Sequence, residues 1–252
     1  MQLKAKIFWD AVIAVCMIVL IICGIVLYKH FHDMEKNNKE FKKIAATAEK
    51  EPWKLKRMNK DMIGYLKMDG TVISYPVMKS GKDNPDFYLD HNFKKEKTIS
   101  GSLFLDANTK LSTSLNYIIY GHRMWDGSMF GSLQHDIKDR GKRTLVFYRF
   151  LNDKGTVYEK GTYEIFSAYK TATWAGDEYY TYANIEKPSD FKKYVDVVSS
   201  RSEIRGKKPK KETQLVTLST CSYHLIGRNG RIDHSGRFVA MAKLEHKEII
   251  RQ

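Results

Sequence analysis

The chain has 252 residues, of which 42% are hydrophobic and 29% charged. This is ordinary globular usage, and it excludes a collagen-like, disordered or many-span membrane chain. The length suits one large domain, or one domain with an appendage, and is enough to bury a core without disulfide staples. Lys and Arg number 43 against 29 Asp and Glu, a net charge of +14 that points to an anionic partner: nucleic acid, a membrane surface or a polyanionic polymer. Three cysteines cannot make a disulfide framework.

Residues 1–6 form a short segment carrying Lys4 and Lys6, and residues 7–28 form an apolar run broken by Asp10 alone. The uncharged stretch from Ala11 to Tyr28 approaches the ~20 residues that cross a bilayer core. It is longer than the apolar region of a cleaved signal peptide and lacks a small-residue cleavage site at its exit. An uncleaved signal anchor is therefore expected. Lys4, Lys6 and the free amine favour an inside amino terminus, which places the rest outside the membrane. Cys16 and Cys23 fall in the span as small apolar residues, leaving Cys221 alone in the exported part. Since Lys4, Lys6 and Asp10 are the only charges before residue 29, +13 of the +14 lies beyond the span. That charge suits a membrane surface or a polyanionic polymer more readily than nucleic acid, since no RNP-type or helix-turn-helix pattern is present.

Residues 29–60 read as a stalk of solvated helix, rich in Lys, Glu and Ala and broken near Pro52, packing loosely on the domain beyond. Residues 61–252 have a different texture. Short runs rich in β-branched and aromatic residues recur at 62–68, 71–78, 102–106, 116–121, 144–150, 156–170, 214–220 and 236–244. Many short strands without alternating helices predict an all-β barrel or sandwich. Two helices interrupt them. One is short, over 128–137. The other, over 188–204, has Phe191, Tyr194, Val195 and Val198 at helical spacing behind Pro188 and Ser189. The basic cluster RGKKPKK at 205–211 reads as a solvated loop.

Cys221 follows the apolar run QLVTLST, where a strand gives way to a loop, a position that exposes a nucleophile while the strand holds it. A thiol needs a base or a cationic neighbour to become thiolate near neutral pH. Spacing alone leaves His122, at another strand end, His224 and His234 as candidate bases. No HExxH or CxxC occurs, and His30 and His32 form a lone HxH, so neither a metal site nor a cofactor is expected.

TLSTC (217–221), YGHRMWDGSMFGSL (120–133) and the terminal GRFVAMAKL (236–244) resemble, in family order, the signature segments of the class B sortases. The likeness continues through IGYLKMDGTVISYPVMKSGKDNPDFYLDHNF and ISGSLFLD and covers Asp61 to Leu244. It implies a mainly β fold: a closed eight-stranded barrel with amino-terminal helices and a helix between late strands, preceded by one transmembrane helix.

It also implies a membrane-anchored cysteine transpeptidase of Gram-positive type, single-pass, with its catalytic domain extracellular. By position Cys221 matches the nucleophile, His122 the general acid/base and Arg237 the arginine that stabilises the oxyanion or substrate. Arg228 and Arg231, in the preceding loop, are alternatives for the last role. Ser219 and Thr220 would line the substrate groove, as would Asn84, Tyr88 and Leu89. Tyr179, Tyr180 and Tyr182 are candidates either for that groove or for packing. The implied partners are secreted proteins with a carboxy-terminal sorting motif, cleaved after Thr, and an amine of peptidoglycan or its precursor. A membrane-anchored cysteine protease and a basic module binding a cell-surface polymer are the rival readings.

Overall fold

A computed structural model describes residues 2–172, 179–222 and 235–252. The chain divides into two compact units, Met1–Glu40 and Phe41–Gln252. The first is helical throughout its described length, and most of its large apolar side chains from Ile7 to Phe31 are exposed. This helix is long and apolar enough to cross a membrane.

Helix α1 spans Gln2–Lys50, and α2, Pro52–Met58, begins one residue later with Pro52 in its first turn, where a missing N–H costs nothing. The break predicted near Pro52 is present. The loose packing predicted for this region is not, because Phe41, Ile44 and Ala48 join the main core and Phe41 meets Tyr75 edge to face at 5.2 Å.

Among the described residues the second unit holds eight strands: β1 (Met62–Lys67), β2 (Ser74–Met78), β3 (Leu103–Leu105), β4 (Asn116–Tyr120), β5 (Thr144–Phe150), β6 (Val157–Ala172), β7 (Leu215–Cys221) and β8 (Gly236–Arg251). They close into a barrel in the order β1-β2-β3-β4-β7-β8-β6-β5, with β5 pairing back to β1. The pairs β2–β3 and β4–β7 are parallel and the others antiparallel. Closure pairs β5 back to β1, while β8 beyond Leu244 pairs with β6 alone among the described residues.

Helix α3 (Leu133–Lys138) is shorter than the predicted 128–137. Gly127 and Met129 both take positive φ, and Phe130 N–H binds His122 O at 2.9 Å, so the preceding segment is a tight turn. Helix α4 (Pro188–Ser200) lies between β6 and β7 as expected.

Alternation along the strands sorts side chains into two cores. Val216 and Leu218 of β7, with Phe238, Ala240 and Ala242 of β8, point into the barrel. Leu215, Val239 and Met241 point outward, beneath Phe191, Tyr194, Val195 and Val198 of α4. These four are the residues whose spacing predicts the helix. Thus α4 shields one outer face of the barrel, the face that carries Cys221.

Candidate active site

Cys221 ends β7, directly opposite Arg237 in the antiparallel ladder with β8. Directly opposed residues project to the same face with Cβ atoms about 4.5–5.5 Å apart. On the other side of β7 lies β4, parallel, with Tyr120 registered to Ser219. Gly121 N–H extends that pairing to Ser219 O at 3.1 Å. His122 is the next residue, so it leaves β4 at the level at which Cys221 leaves β7. Three neighbouring strands thereby bring His122, Cys221 and Arg237 to one rim.

All three side chains are partly exposed. His122 Nε2 lies 2.7 Å from Leu89 O. A carbonyl oxygen only accepts, so Nε2 carries the hydrogen and Nδ1 keeps the lone pair in the neutral ring. Arg237 donates through Nη1 to its neighbour's carbonyl, Gly236 O, at 2.9 Å. Its planar fork has further N–H groups to offer a developing negative charge.

The outward row of β7 reads Thr217, Ser219, Cys221. Tyr194 and Thr217 hydroxyls meet at 2.7 Å, and Thr217 donates on to Asn116 Oδ1 at 2.9 Å. Tyr179 and Ser219 hydroxyls also meet at 2.7 Å. The first two members of the row are thus capped by tyrosines, and the third is the thiol. Tyr120 donates to Asp106 Oδ2 at 2.9 Å, and burial together with that carboxylate pushes its phenol pKa well up.

The residues expected to line a groove divide. Leu89 is 42% exposed and Asn84 is exposed. Tyr88 is not available as a lining residue: it is wholly buried, donates to Asp61 Oδ2 at 2.8 Å and accepts from Asn59 Nδ2 at 3.0 Å. The short 3-10 turn Phe87–Leu89 turns Tyr88 inward and Leu89 outward. Ser219 is buried under Tyr179. Thr220, on the inward row opposite Phe238, is buried with no partner for its Oγ1 among the described residues. Tyr179 belongs to the core beneath α4, Tyr182 packs on Tyr194 with ring centroids 5.0 Å apart, and Tyr180 is exposed. His224, His234, Arg228 and Arg231 lie outside the described residues.

One contributor has no signature in the sequence. Gly101 takes φ +52°, and a Cβ there would sit 2.3 Å from Leu89 O and 2.6 Å from Tyr88 O. The carbonyl that holds His122 is therefore packed from behind by a glycine.

This chain is 40% identical over 189 residues to sortase B of Listeria monocytogenes, covering 73% of this chain and 72% of that protein. The chain belongs to the sortase B family. Sortase B of Staphylococcus aureus is 33% identical over 169 residues, 66% of each chain. Among solved structures, Clostridium perfringens sortase B superposes with a TM-score of 0.64 at 29% identity, covering 77% of this chain and 98% of that one. A Bacillus anthracis sortase B structure gives 0.67 at 27% identity, covering 88% of this chain and all of that one. No protein-family model matches the chain. As a sortase B, the protein is a cysteine transpeptidase, and its closed eight-stranded barrel with a helix between late strands is the fold of those relatives.

Proposed function

We propose that this sortase B cleaves a carboxy-terminal sorting motif of secreted proteins after Thr and joins the freed acyl group to an amine of peptidoglycan or its precursor. The observation that carries the reading is the common rim of β4, β7 and β8, from which His122, Cys221 and Arg237 emerge side by side. A Staphylococcus aureus sortase B–substrate complex, 27% identical and superposing with a TM-score of 0.63 over 84% of this chain, adds support for a peptide substrate.

In this reading the Cys221 thiolate attacks the Thr carbonyl. The tetrahedral intermediate collapses to a thioester as His122 gives a proton to the departing amine. The acceptor amine then attacks the thioester, His122 takes its proton, and Cys221 is released as the thiolate. Arg237 keeps its charge throughout and holds the oxyanion, a role worth about 2.7–4 kcal/mol for a single donor in comparable sites. Asn84 and Leu89 contact the peptide, while Tyr88, Ser219 and Thr220 shape the groove from beneath. Residues 7–28 cross the membrane with residues 1–6 inside, residues 29–60 form the stalk, and residues 61–252 act outside.

The test is to incubate the protein with a sorting-motif peptide, with and without an added amine, and to follow products by mass spectrometry. The expected result is an acyl-enzyme on Cys221 that partitions to the amide when amine is present. Peptide cleavage persisting in Cys221→Ala would overturn the covalent route. Hydrolysis unaffected by any amine would favour the protease reading.

A further inference from the structure

The basic cluster RGKKPKK, a solvated loop by its sequence, forms one wall of a groove. The other wall is α4. The groove has a volume of about 510 Å³, with Phe191 and Val195 of α4 as its floor and Lys192, Lys208, Lys210 and Lys211 around it. Both floor residues are buried, whereas the four lysines are exposed.

The loop is anchored. A Cβ on Gly206 would fall 2.2 Å from Phe166 O, so this glycine lies flat against the β6 backbone. Glu203 N–H binds Ala168 O at 2.8 Å, and Glu203 Oε1 accepts from Lys170 N–H at 2.9 Å. Lys208 reaches across to Asp196 of α4 at 2.8 Å. Beyond that pair the lining holds Lys192, Lys210 and Lys211 against Glu212, so the preformed cleft carries two positive charges in excess.

The groove sits far from the chemistry. Lys211 and Glu212 precede β7 at the end opposite Cys221, about 20 Å away along a seven-residue strand. A ligand there leaves the rim of His122, Cys221 and Arg237 open.

We propose that this groove binds a linear phosphodiester polyanion and so tethers the catalytic domain to an anionic surface polymer. Two features favour this occupant. The cations left after pairing are all lysines, point charges that hold phosphate oxygens. The apolar floor is recessed, and no large hydrophobic side chain between residues 187 and 212 is exposed, so nothing projects to enter a bilayer.

The test uses the full-length protein in nonionic detergent and a fluorescent synthetic glycerol-phosphate oligomer, with anisotropy as readout. Replacing Lys192, Lys210 and Lys211 together by Gln should weaken binding by at least about tenfold and lower the slope of log affinity against log salt by roughly 2–3, as expected for the loss of three phosphate contacts. Replacing Lys94, Lys97 and Lys154 by Gln removes the same charge elsewhere and should leave binding within about twofold of the wild type. Equal weakening by the two triple variants would overturn the site. So would equal competition by a glutamate oligomer, or binding to phosphatidylglycerol vesicles without binding to the oligomer. Circular dichroism of both variants establishes that they fold. The readout needs no peptide turnover, so it stands or falls separately from the transpeptidation scheme.

Discussion

Tyr179 and Ser219 share a hydroxyl–hydroxyl hydrogen bond of 2.7 Å, both buried, two residues before Cys221. It ties the segment leading into α4 to the strand that carries the thiol. Tyr179→Phe and Ser219→Ala should each destabilise the protein by about 0.5–1.5 kcal/mol, the net worth of a typical intramolecular hydrogen bond. The double variant should lose less than the two single losses combined, since both remove one bond. Denaturant unfolding of the four proteins measures this. Additive losses would show that the two hydroxyls act independently.

His122 is held through Nε2 by a backbone carbonyl, so positioning and proton transfer can be separated. The side-chain amide of Gln can also donate toward Leu89 O but cannot shuttle a proton. His122→Gln should retain the stability of the parent while kcat/KM falls by about 10²–10⁴, the usual range for a general acid–base. A comparable loss of stability would mean that the imidazole serves chiefly to hold the fold.

Gly101 offers a test from behind the site. Gly101→Ala imposes a side chain at positive φ, at a cost of roughly 1–2 kcal/mol, and drives a methyl into Leu89 O. That carbonyl must shift, and the His122 ring with it. Turnover should fall by about 10², the scale of a small misplacement of a catalytic group. Asn tolerates positive φ better but also carries a Cβ. Gly101→Asn should therefore regain part of the stability and none of the activity, which separates the backbone effect from the carbonyl displacement.

Much of the barrel is legible because inward and outward rows of β-branched and aromatic residues mark strands directly. The second half of β8 is not: LEHKEIIR is charged on both sides and becomes a strand only because it pairs with β6. Helix α3 starts later than its hydrophobic pattern predicts because Gly127 and Met129 turn the chain at positive φ, which such a pattern does not encode. At the site, the positions of Cys221 and His122 at strand ends are readable. Their alignment is not, since it depends on the parallel register of β4 with β7, strands separated by nearly a hundred residues. Tyr88 and Leu89 show the same limit on a small scale: adjacent in sequence, they face opposite ways because one turn of 3-10 helix separates core from solvent.

Glu186 provides a pH-dependent clasp on the segment that carries Tyr179. Hydrogen bonds from Lys110, Asn184 and Thr113, the first reinforced by charge, hold its carboxyl down at about 2. Lys110 and Thr113 belong to the connection between β3 and β4, so the clasp joins that connection to the residues entering α4. A carboxyl whose pKa is lower in the folded state stabilises the fold above its unfolded value, near 4.5, and loses that contribution as pH falls toward 2. Glu186→Gln keeps much of the shape without the charge. The stability difference between wild type and variant should therefore be constant from neutral pH to about 5 and shrink steadily between about 4.5 and 2. Because other carboxylates titrate alike in both proteins, the difference isolates this one group. Chemical denaturation at stepped pH reads it, and a difference that stayed constant down to pH 2 would show that the clasp does not depend on the charge.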